Sequence, residues 1–155
     1  MADNSVPLTQ EGKDRLTAEL QTLYNERKQV AERIHQAREL GTSQNDAEYD
    51  DAKQEQGRIE GRIRELEDYL HRSVVIDEEQ AHQSRRVVLG SHVKVEQDGT
   101  ARTYQIVGHP EASPAAGKIS NESPVGRALL GKRVGDTVEV NVPRGVVKIV
   151  LKGIE

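Results

Sequence analysis

Residues 9–40 read TQEGKDRLTAELQTLYNERKQVAERIHQAREL, and residues 47–70 read AEYDDAKQEQGRIEGRIRELEDYL. In both stretches, apolar residues recur in alternating steps of four and three, which keeps them on one narrow seam of an α-helix. The two seams are formed by Leu16, Leu20, Leu23, Arg27, Val30, Ile34 and Ala37, and by Tyr49, Ala52, Gln56, Ile59, Ile63, Leu66 and Leu70. Two such seams predict two long helices that pack on each other as a coiled coil.

The segment Gly41–Asn45 lies between the two seams and is rich in residues that form turns. Such a short break can only return the second helix antiparallel to the first. Thr9 is suited to the N-cap of the first helix, with Gln10 and Glu11 in the favoured first turn. At 1.5 Å per residue, each arm of the predicted hairpin is roughly 45 Å long.

Arg27 and Gln56 occupy seam positions where apolar residues are expected. They could fix the register of the two helices, or they could bind a ligand inside the stem. We favour the first interpretation because a single polar residue in a coiled-coil seam commonly specifies register.

The second half of the chain has a different pattern. From about residue 75 onward it contains most of the glycines and four of the five prolines. The β-branched runs are Val74–Ile76, Val87–Leu89, Val93–Val95, Thr103–Val107, Val138–Val142 and Val146–Leu151, with turn signals at Gln97–Gly99 and Pro143–Gly145. These runs predict short strands joined by tight turns.

One short helix is predicted within this second half, over residues 124–130. Ser123 is its expected N-cap, Pro124 its first residue, and Gly131 the residue that ends it. We therefore predict an α+β chain with two domains: a coiled-coil hairpin over residues 1–75, and a small antiparallel sheet wrapped on one helix over residues 76–155.

Composition excludes several kinds of protein and site. The formal net charge is −4, which argues against a protein that grips duplex DNA by a basic surface. Without cysteine there are no disulfides, zinc-thiolate sites or thiol nucleophiles. Residues 1–8 show no signal peptide, and no apolar stretch approaches the ~20 residues of a membrane span. We expect a cytoplasmic protein that does not bind membranes.

Several sequence segments resemble the GreA/GreB transcript-cleavage factors. In the helical half they are ARELG at 37–41, AEY at 47–49, EQG at 55–57, EGRI at 60–63 and LE at 66–67. In the second half they are GKIS at 117–120, ESPVG at 122–126, ALLGK at 128–132 and VGD at 134–136, with Val138. The resemblance extends from Leu8 to Ile154 and is more specific in the second half, because coiled-coil matches arise easily from composition.

The resemblance implies an FKBP-like second domain that docks on the rim of the secondary channel of bacterial RNA polymerase. It implies that the hairpin enters this channel, so that its tip approaches the catalytic Mg²⁺ of the polymerase. In the family, two acidic residues at the tip help to hold a second metal ion, and the polymerase then cuts backtracked RNA. Mg²⁺ requires hard oxygen ligands such as carboxylates at such a position.

The tip of this chain departs from the family pattern, which reads D-L-x-E-N-A-E-Y after the glycine. The corresponding interval is Thr42, Ser43, Gln44, Asn45, Asp46, Ala47, Glu48 and Tyr49. The family acids fall on Thr42 and Asn45, which are neutral, and Asp46 occupies the position of the family asparagine. We therefore expect a protein that occupies the channel and modulates transcription without stimulating cleavage.

Other positions carry expectations from the same resemblance. Arg38 and Lys53 match basic stem positions that face the backtracked RNA or the channel wall, although each also suits a solvated helix face. Glu122, Ser123 and Pro124 match the polymerase-docking loop. We expect a monomer with no catalytic residue, no bound metal and no cofactor of its own.

Four alternatives remain at this point. An active cleavage factor could use Asp46, after a small change of loop register, or Glu48, with Asp50 and Asp51 nearby. These four acids could instead complement the dipole of the second helix, with Asn45 or Asp46 as its N-cap. The chain could be a coiled-coil adaptor for another partner. A prolyl isomerase is disfavoured because Tyr104 is the one aromatic residue after residue 75.

Overall fold

A computed structural model describes residues 4–40 and 43–155, and of residues 40 and 43–46 it describes the backbone alone. The first elements are strand β1 (Val6–Leu8), helix α1 (Gln10–Leu40), helix α2 (Ser43–His71), strand β2 (Ser73–Val75) and helix α3 (Glu78–Gln83). They are followed by β3 (His92–Gln97), β4 (Thr100–Val107), β5 (Lys118–Ser120), α4 (Pro124–Leu129), β6 (Thr137–Val142) and β7 (Gly145–Ile154). Two short 3₁₀ segments, His109–Glu111 and Pro114–Ala116, lie between β4 and β5. The α+β class predicted from the sequence is confirmed.

The chain divides into two compact units, which differ from the predicted domains at 1–75 and 76–155. The hairpin unit is residues 13–72, and the sheet unit combines Met1–Gly12 with Ser73–Glu155. The difference arises because β1 pairs in parallel with β2, with Val6 opposite Ser73 and Leu8 opposite Val75. Sequence periodicity carries no signal for a pairing between strands so far apart in the chain.

In the hairpin unit the seam residues pack as predicted. Those that are buried are Leu16, Leu20, Leu23, Val30, Ile34 and Ala37 on α1, and Ala52, Ile59, Ile63 and Leu66 on α2. Thr9 is the N-cap of α1, because its hydroxyl accepts a hydrogen bond from the backbone N–H of Gly12 at 3.0 Å. Among the described helices, none has a stretch that is both long and apolar enough to cross a bilayer.

In the sheet unit five described strands form a sheet in the order β5-β4-β3-β7-β6. Neighbouring strands are antiparallel except for β4 and β5, which are parallel, so the prediction of a wholly antiparallel sheet is wrong at this edge. Asp98 and Gly99 join β3 to β4 as a two-residue turn with φ values of 52° and 81°, as the turn signal predicts. The buried core contains Val87, Val93, Val95, Ile106, Ile119, Leu129, Val138, Val140, Ile149 and Leu151.

Two further predictions about this unit are wrong. Residues 87–89 form no strand: Val87 exchanges backbone hydrogen bonds with Gly131 and Lys132, and a turn follows with φ of 92° at Gly90. The unit also contains a second short helix, α3, which is capped by Asp77 through a bond from the N–H of Gln80. The predicted helix is present as α4, with Leu130 as its C-cap rather than its last residue.

Candidate functional site

Polar bonds between α1 and α2 extend along the stem of the hairpin unit. They join Arg62 Nε to Glu19 Oε1 at 2.9 Å, Tyr24 Oη to Glu67 Oε1 at 2.7 Å, Arg33 Nη1 to Glu55 Oε2 at 2.6 Å, and Arg38 Nη2 to Tyr49 Oη at 3.2 Å. The partner of Tyr24 is Glu67, near the end of α2, whereas the partner of Arg38 is Tyr49, near its beginning, so the two helices are antiparallel, as predicted.

The two polar seam residues play no described part in these bonds. Arg27 is exposed, and its guanidinium lies over the ring of Tyr24 on the same helix, 5.1 Å from the ring centre. Gln56 is half-buried, and its Oε1 accepts a bond from Lys53 Nζ at 3.2 Å, again within one helix. Neither residue makes a cross-helix bond among the described residues, and the interpretation that Arg27 and Gln56 fix the register stays a prediction.

Among the side chains that the structure describes, Arg38 and Tyr49 form the cross-helix pair nearest the distal end of the hairpin. In addition to the hydrogen bond, the guanidinium of Arg38 lies 5.6 Å from the centre of the Tyr49 ring, within range of a cation–π interaction. The hydrogen bond from Arg38 lowers the pKa of Tyr49, because the positive charge stabilises the phenolate. Arg38, which the resemblance places near the RNA, is thus also a structural link between the helices.

Helix α2 begins at Ser43, so most of the predicted turn Gly41–Asn45 is helical. Asn45 and Asp46 lie in the first turns of α2 and not at its N-cap, which corrects that expectation. Thr42 lies outside the described residues, as do the side chains of Ser43, Gln44, Asn45 and Asp46. Glu48, Asp50 and Asp51 are exposed on the next turns of the helix.

A groove on the stem is lined in part by two of these acidic residues. It is lined by Arg33, Gln36 and Ala37 of α1 and by Glu48 and Asp51 of α2. Among the described residues, no three His, Asp or Glu side chains are grouped so that they could hold a metal ion. The described part of the stem therefore offers charged and polar groups for contacts, but no assembled metal site.

The predicted docking loop lies in the sheet unit, before α4. Ser123 caps α4, because its Oγ accepts a hydrogen bond from the N–H of Gly126 at 3.1 Å, and Pro124 is the first residue of the helix, as predicted. The same Oγ donates to the carbonyl of Ser120 at 2.7 Å, and the Ser120 hydroxyl accepts from the N–H of Glu122 at 3.0 Å. These bonds fix the backbone of the loop, while the side chain of Glu122 is exposed.

Gly126 is the residue that lets α4 approach this loop. A Cβ atom at this position would overlap the carbonyl oxygen of Ser120, which belongs to the backbone and cannot move independently. The close approach of α4 to β5 therefore requires glycine here.

Sequence reasoning missed a buried acid, Glu111, in the 3₁₀ segment after β4. Its carboxylate accepts bonds from the backbone N–H of Thr9 at 2.5 Å and from the Thr9 hydroxyl at 2.6 Å. A Cβ atom at Gly12 would overlap this carboxylate. Glu111 thus holds the first turn of α1 within the sheet unit, and no local pattern links residues 102 positions apart.

The five histidines, His35, His71, His82, His92 and His109, are far apart in the sequence. The structure brings two of them together: the rings of His82 and His92 are stacked, with centres 5.6 Å apart. No third metal-ligating side chain completes a site with this pair among the described residues.

Two family models together match nearly the whole chain. The family model described as "Transcription elongation factor, N-terminal" matches residues 6–75, and the one described as "Transcription elongation factor, GreA/GreB, C-term" matches residues 82–155. The elongation factor GreA of Chloroflexus aggregans is 51% identical over 154 residues, which cover 97% of this chain and 98% of that protein. The chain belongs to the GreA/GreB family. The resemblance described from the sequence is confirmed.

Another curated relative and two solved structures are also similar to this chain. GreA of Roseiflexus castenholzii is 47% identical and covers 100% of both chains. Among solved structures, GreA factor homolog 1 (Gfh1) of Thermus thermophilus is 33% identical, covers 98% of this chain and 99% of its own, and superposes with a TM-score of 0.48. Gfh1 of Thermus aquaticus is 34% identical, covers 99% of both chains and has a TM-score of 0.47.

Proposed function

We propose that this chain binds bacterial RNA polymerase, inserts its hairpin into the secondary channel, and regulates transcription without stimulating transcript cleavage. Membership of the GreA/GreB family supports the partner and the route. The observation that carries the absence of cleavage is the pair Thr42 and Asn45, which stands where the family pattern has two acids.

The chemistry of Mg²⁺ supports this proposal. Mg²⁺ keeps most of its waters and binds proteins through one or two carboxylates, so an exchangeable second ion depends strongly on the charge of its ligands. A threonine hydroxyl and an asparagine amide are neutral. Replacing both carboxylates therefore removes most of the electrostatic attraction that would hold the second ion of a two-metal mechanism.

Each unit has a part in this proposal. The sheet unit docks on the channel rim through the loop Glu122–Pro124, whose backbone is fixed by the Ser123 cap. The hairpin unit carries the tip towards the polymerase-bound Mg²⁺, and Arg38 and Lys53 lower the repulsion of backtracked RNA. The chain acts as a cytoplasmic monomer, contributes contacts and charge, and has no catalytic residue or cofactor of its own.

A second candidate function is favoured by the names of the relatives. Those that are about 50% identical are called elongation factors, and an active factor could use Asp46 in place of the missing acids. However, Asn45 and Asp46 are successive residues of α2, and successive helical positions differ by about 100° around the axis. Asp46 can take the place of Asn45 only if the start of α2 rearranges.

Two measurements test the proposed function. Retention of core RNA polymerase by the immobilised protein tests the partner, and we expect retention, whereas an adaptor for another partner would not retain it. Release of short 3′ RNA fragments from a backtracked elongation complex in Mg²⁺ tests the regulatory mode, and we expect no stimulation above the polymerase alone. If fragments are released efficiently and Asp46→Asn abolishes the release, the second candidate function is correct.

A further inference from the structure

The sheet unit has a cluster of five positive charges at one end of α4. It consists of Arg85, Arg86, Arg127, Lys132 and Arg133, all of which are exposed. The segments that contain them, residues 84–94 and 123–135, include no aspartate or glutamate. We call these five residues the basic cluster.

Backbone hydrogen bonds bring the two segments together. The N–H of Val87 donates to the carbonyl of Lys132 at 2.9 Å, and the N–H of Gly131 donates to the carbonyl of Val87 at 2.8 Å. The guanidinium of Arg86 also donates to the Gly131 carbonyl at 3.2 Å. Arg85 and Arg86 therefore lie beside Lys132 and Arg133, and Arg127 is in the last turn of α4, just before this contact.

Among the described residues, the cations of the basic cluster form no ion pair, unlike two lysines of the same unit. Lys94 pairs with Glu155 at 2.7 Å and Lys152 with Glu96 at 3.5 Å, both on the sheet. For the basic cluster, no ion pair is formed with any carboxylate that the structure describes. The nearest acid along the chain, Asp136, accepts a bond at 2.9 Å from the backbone N–H of Arg133, not from its guanidinium.

We propose that the basic cluster docks against an acidic surface of RNA polymerase, next to the contact made by the loop Glu122–Pro124. This inference rests on the proposed function and adds a second contact to it. The two contacts lie at opposite ends of α4, which is six residues or roughly 9 Å long. The docking face thus has a negative charge at one end, from Glu122, and five positive charges at the other. Because opposite charges on the partner must match this order, it fixes the orientation of the sheet unit on the polymerase.

A protein surface fits the basic cluster better than a nucleic acid. The whole chain carries a net charge of −4, which opposes association with a polyanion at long range. Residues 76–155 contain a single aromatic side chain, Tyr104, so a platform for stacked bases is absent from this half of the sequence. The cluster also continues a surface that already carries the proposed docking loop.

The test compares two double charge reversals for binding of the full-length protein to core RNA polymerase free of nucleic acid. Arg127→Glu with Arg133→Glu reverses two charges of the basic cluster. Arg102→Glu with Arg144→Glu is the matched control, because both arginines are exposed and lie towards the opposite end of the sheet, near the β3–β4 and β6–β7 turns. We expect about a tenfold loss of affinity for the first variant at low salt, less than about twofold for the control, and a smaller difference at high salt.

The outcomes separate this inference from the proposed function. If the unaltered protein binds the polymerase and the Arg127/Arg133 variant binds equally well, the inference is wrong and the proposed function stands. If the unaltered protein does not bind, both are wrong. If the variant loses affinity for a single-stranded RNA oligonucleotide rather than for the polymerase, the cluster is a nucleic-acid site and the inference is also overturned. Arg127→Gln with Arg133→Gln, which loses charge without reversing it, should give an intermediate loss.

Discussion

The loop before α4 and the distal end of the hairpin are both proposed to meet the polymerase, but they are built differently. In the loop, Ser120, Ser123 and Gly126 are fixed by backbone contacts, so each has a structural role in addition to any role in docking. At the distal end, the described link between the helices is one exposed pair, Arg38 and Tyr49. Substitutions in the loop therefore test fold and docking together, whereas substitutions at the tip can change its chemistry without changing the fold.

The largest change in stability that we expect comes from replacing a glycine of the sheet unit by alanine, with a glycine of the hairpin unit as the control. Gly126→Ala places a Cβ against the Ser120 carbonyl and should destabilise the sheet unit by about 2–3 kcal/mol. Gly57→Ala is the matched control in α2: nothing lies near its Cβ position, and alanine should stabilise the helix by up to about 1 kcal/mol. Hydrogen exchange resolved by segment should show faster exchange in β3 and β7 for the first variant and slower exchange in α2 for the second. Unchanged exchange in β3 and β7 would show that Gly126 of α4 packs less closely against the Ser120 carbonyl than the structure indicates.

The next effect concerns the buried acid of the sheet unit. Glu111→Gln removes one acceptor from the pair of bonds to Thr9 and should lower the free energy of unfolding by about 1–3 kcal/mol. Glu122→Gln changes the same chemical group at an exposed position and should have an effect near zero. Urea denaturation of both variants checks this, and equal stability of the two would contradict the role given to Glu111.

A smaller effect is expected in the stem of the hairpin. Arg62 bonds to Glu19, but both side chains are more than one-third exposed, so solvent screens their interaction. A double-mutant cycle with Arg62→Gln and Glu19→Gln should give a coupling free energy below about 1 kcal/mol. If the coupling free energy were as large as the loss of stability in Glu111→Gln, polar bonds in the stem would stabilise the protein as much as the buried bond in the sheet unit, contrary to our expectation.

The smallest effect is a titration at the distal end. Arg38 lowers the pKa of Tyr49, whereas the hydrogen bond to Glu67 raises the pKa of Tyr24. In NMR titrations, Tyr49 should lose its proton at lower pH than Tyr24, and Arg38→Gln should raise the pKa of Tyr49 while leaving that of Tyr24 unchanged. Because the folded-state pKa of Tyr49 is lowered, its contribution to stability is complete above the unfolded value of about 10 and is lost as the pH falls through the folded-state value. Identical titration of the two tyrosines would mean that the Arg38–Tyr49 pair does not form in solution.

The difference between the units also explains what the sequence could predict. The caps Thr9 and Ser123, the seams and the Asp98–Gly99 turn are local features, in which neighbouring residues determine the geometry. The pairing of β1 with β2 and the bond from Thr9 to Glu111 join distant parts of the chain, where no periodicity marks the partner. Residues 87–89 have the composition of a strand, but their backbone partners are Gly131 and Lys132, which follow α4 rather than lie in a strand.

The candidate site divides in the same way. The Ser123 cap was predictable because it depends only on Ser123 and the first residues of the helix that follows. The basic cluster was not, since Arg85 and Arg133 are neighbours only through the backbone pairing of Val87 with Gly131 and Lys132. The first residues of α2 were expected to form a turn because Ser43 and Asn45 are turn formers, but in the structure the helix begins at Ser43.

The most direct test of the central claim is the release of 3′ RNA fragments from a backtracked elongation complex. The unaltered protein is compared with a double variant, Thr42→Asp with Asn45→Glu, which restores the two acids of the family pattern. We predict no stimulation by the unaltered protein and a clear gain of cleavage by the double variant, while both proteins bind the polymerase with similar affinity. Efficient cleavage by the unaltered protein would contradict the claim that Thr42 and Asn45 make this chain a regulator that does not stimulate cleavage.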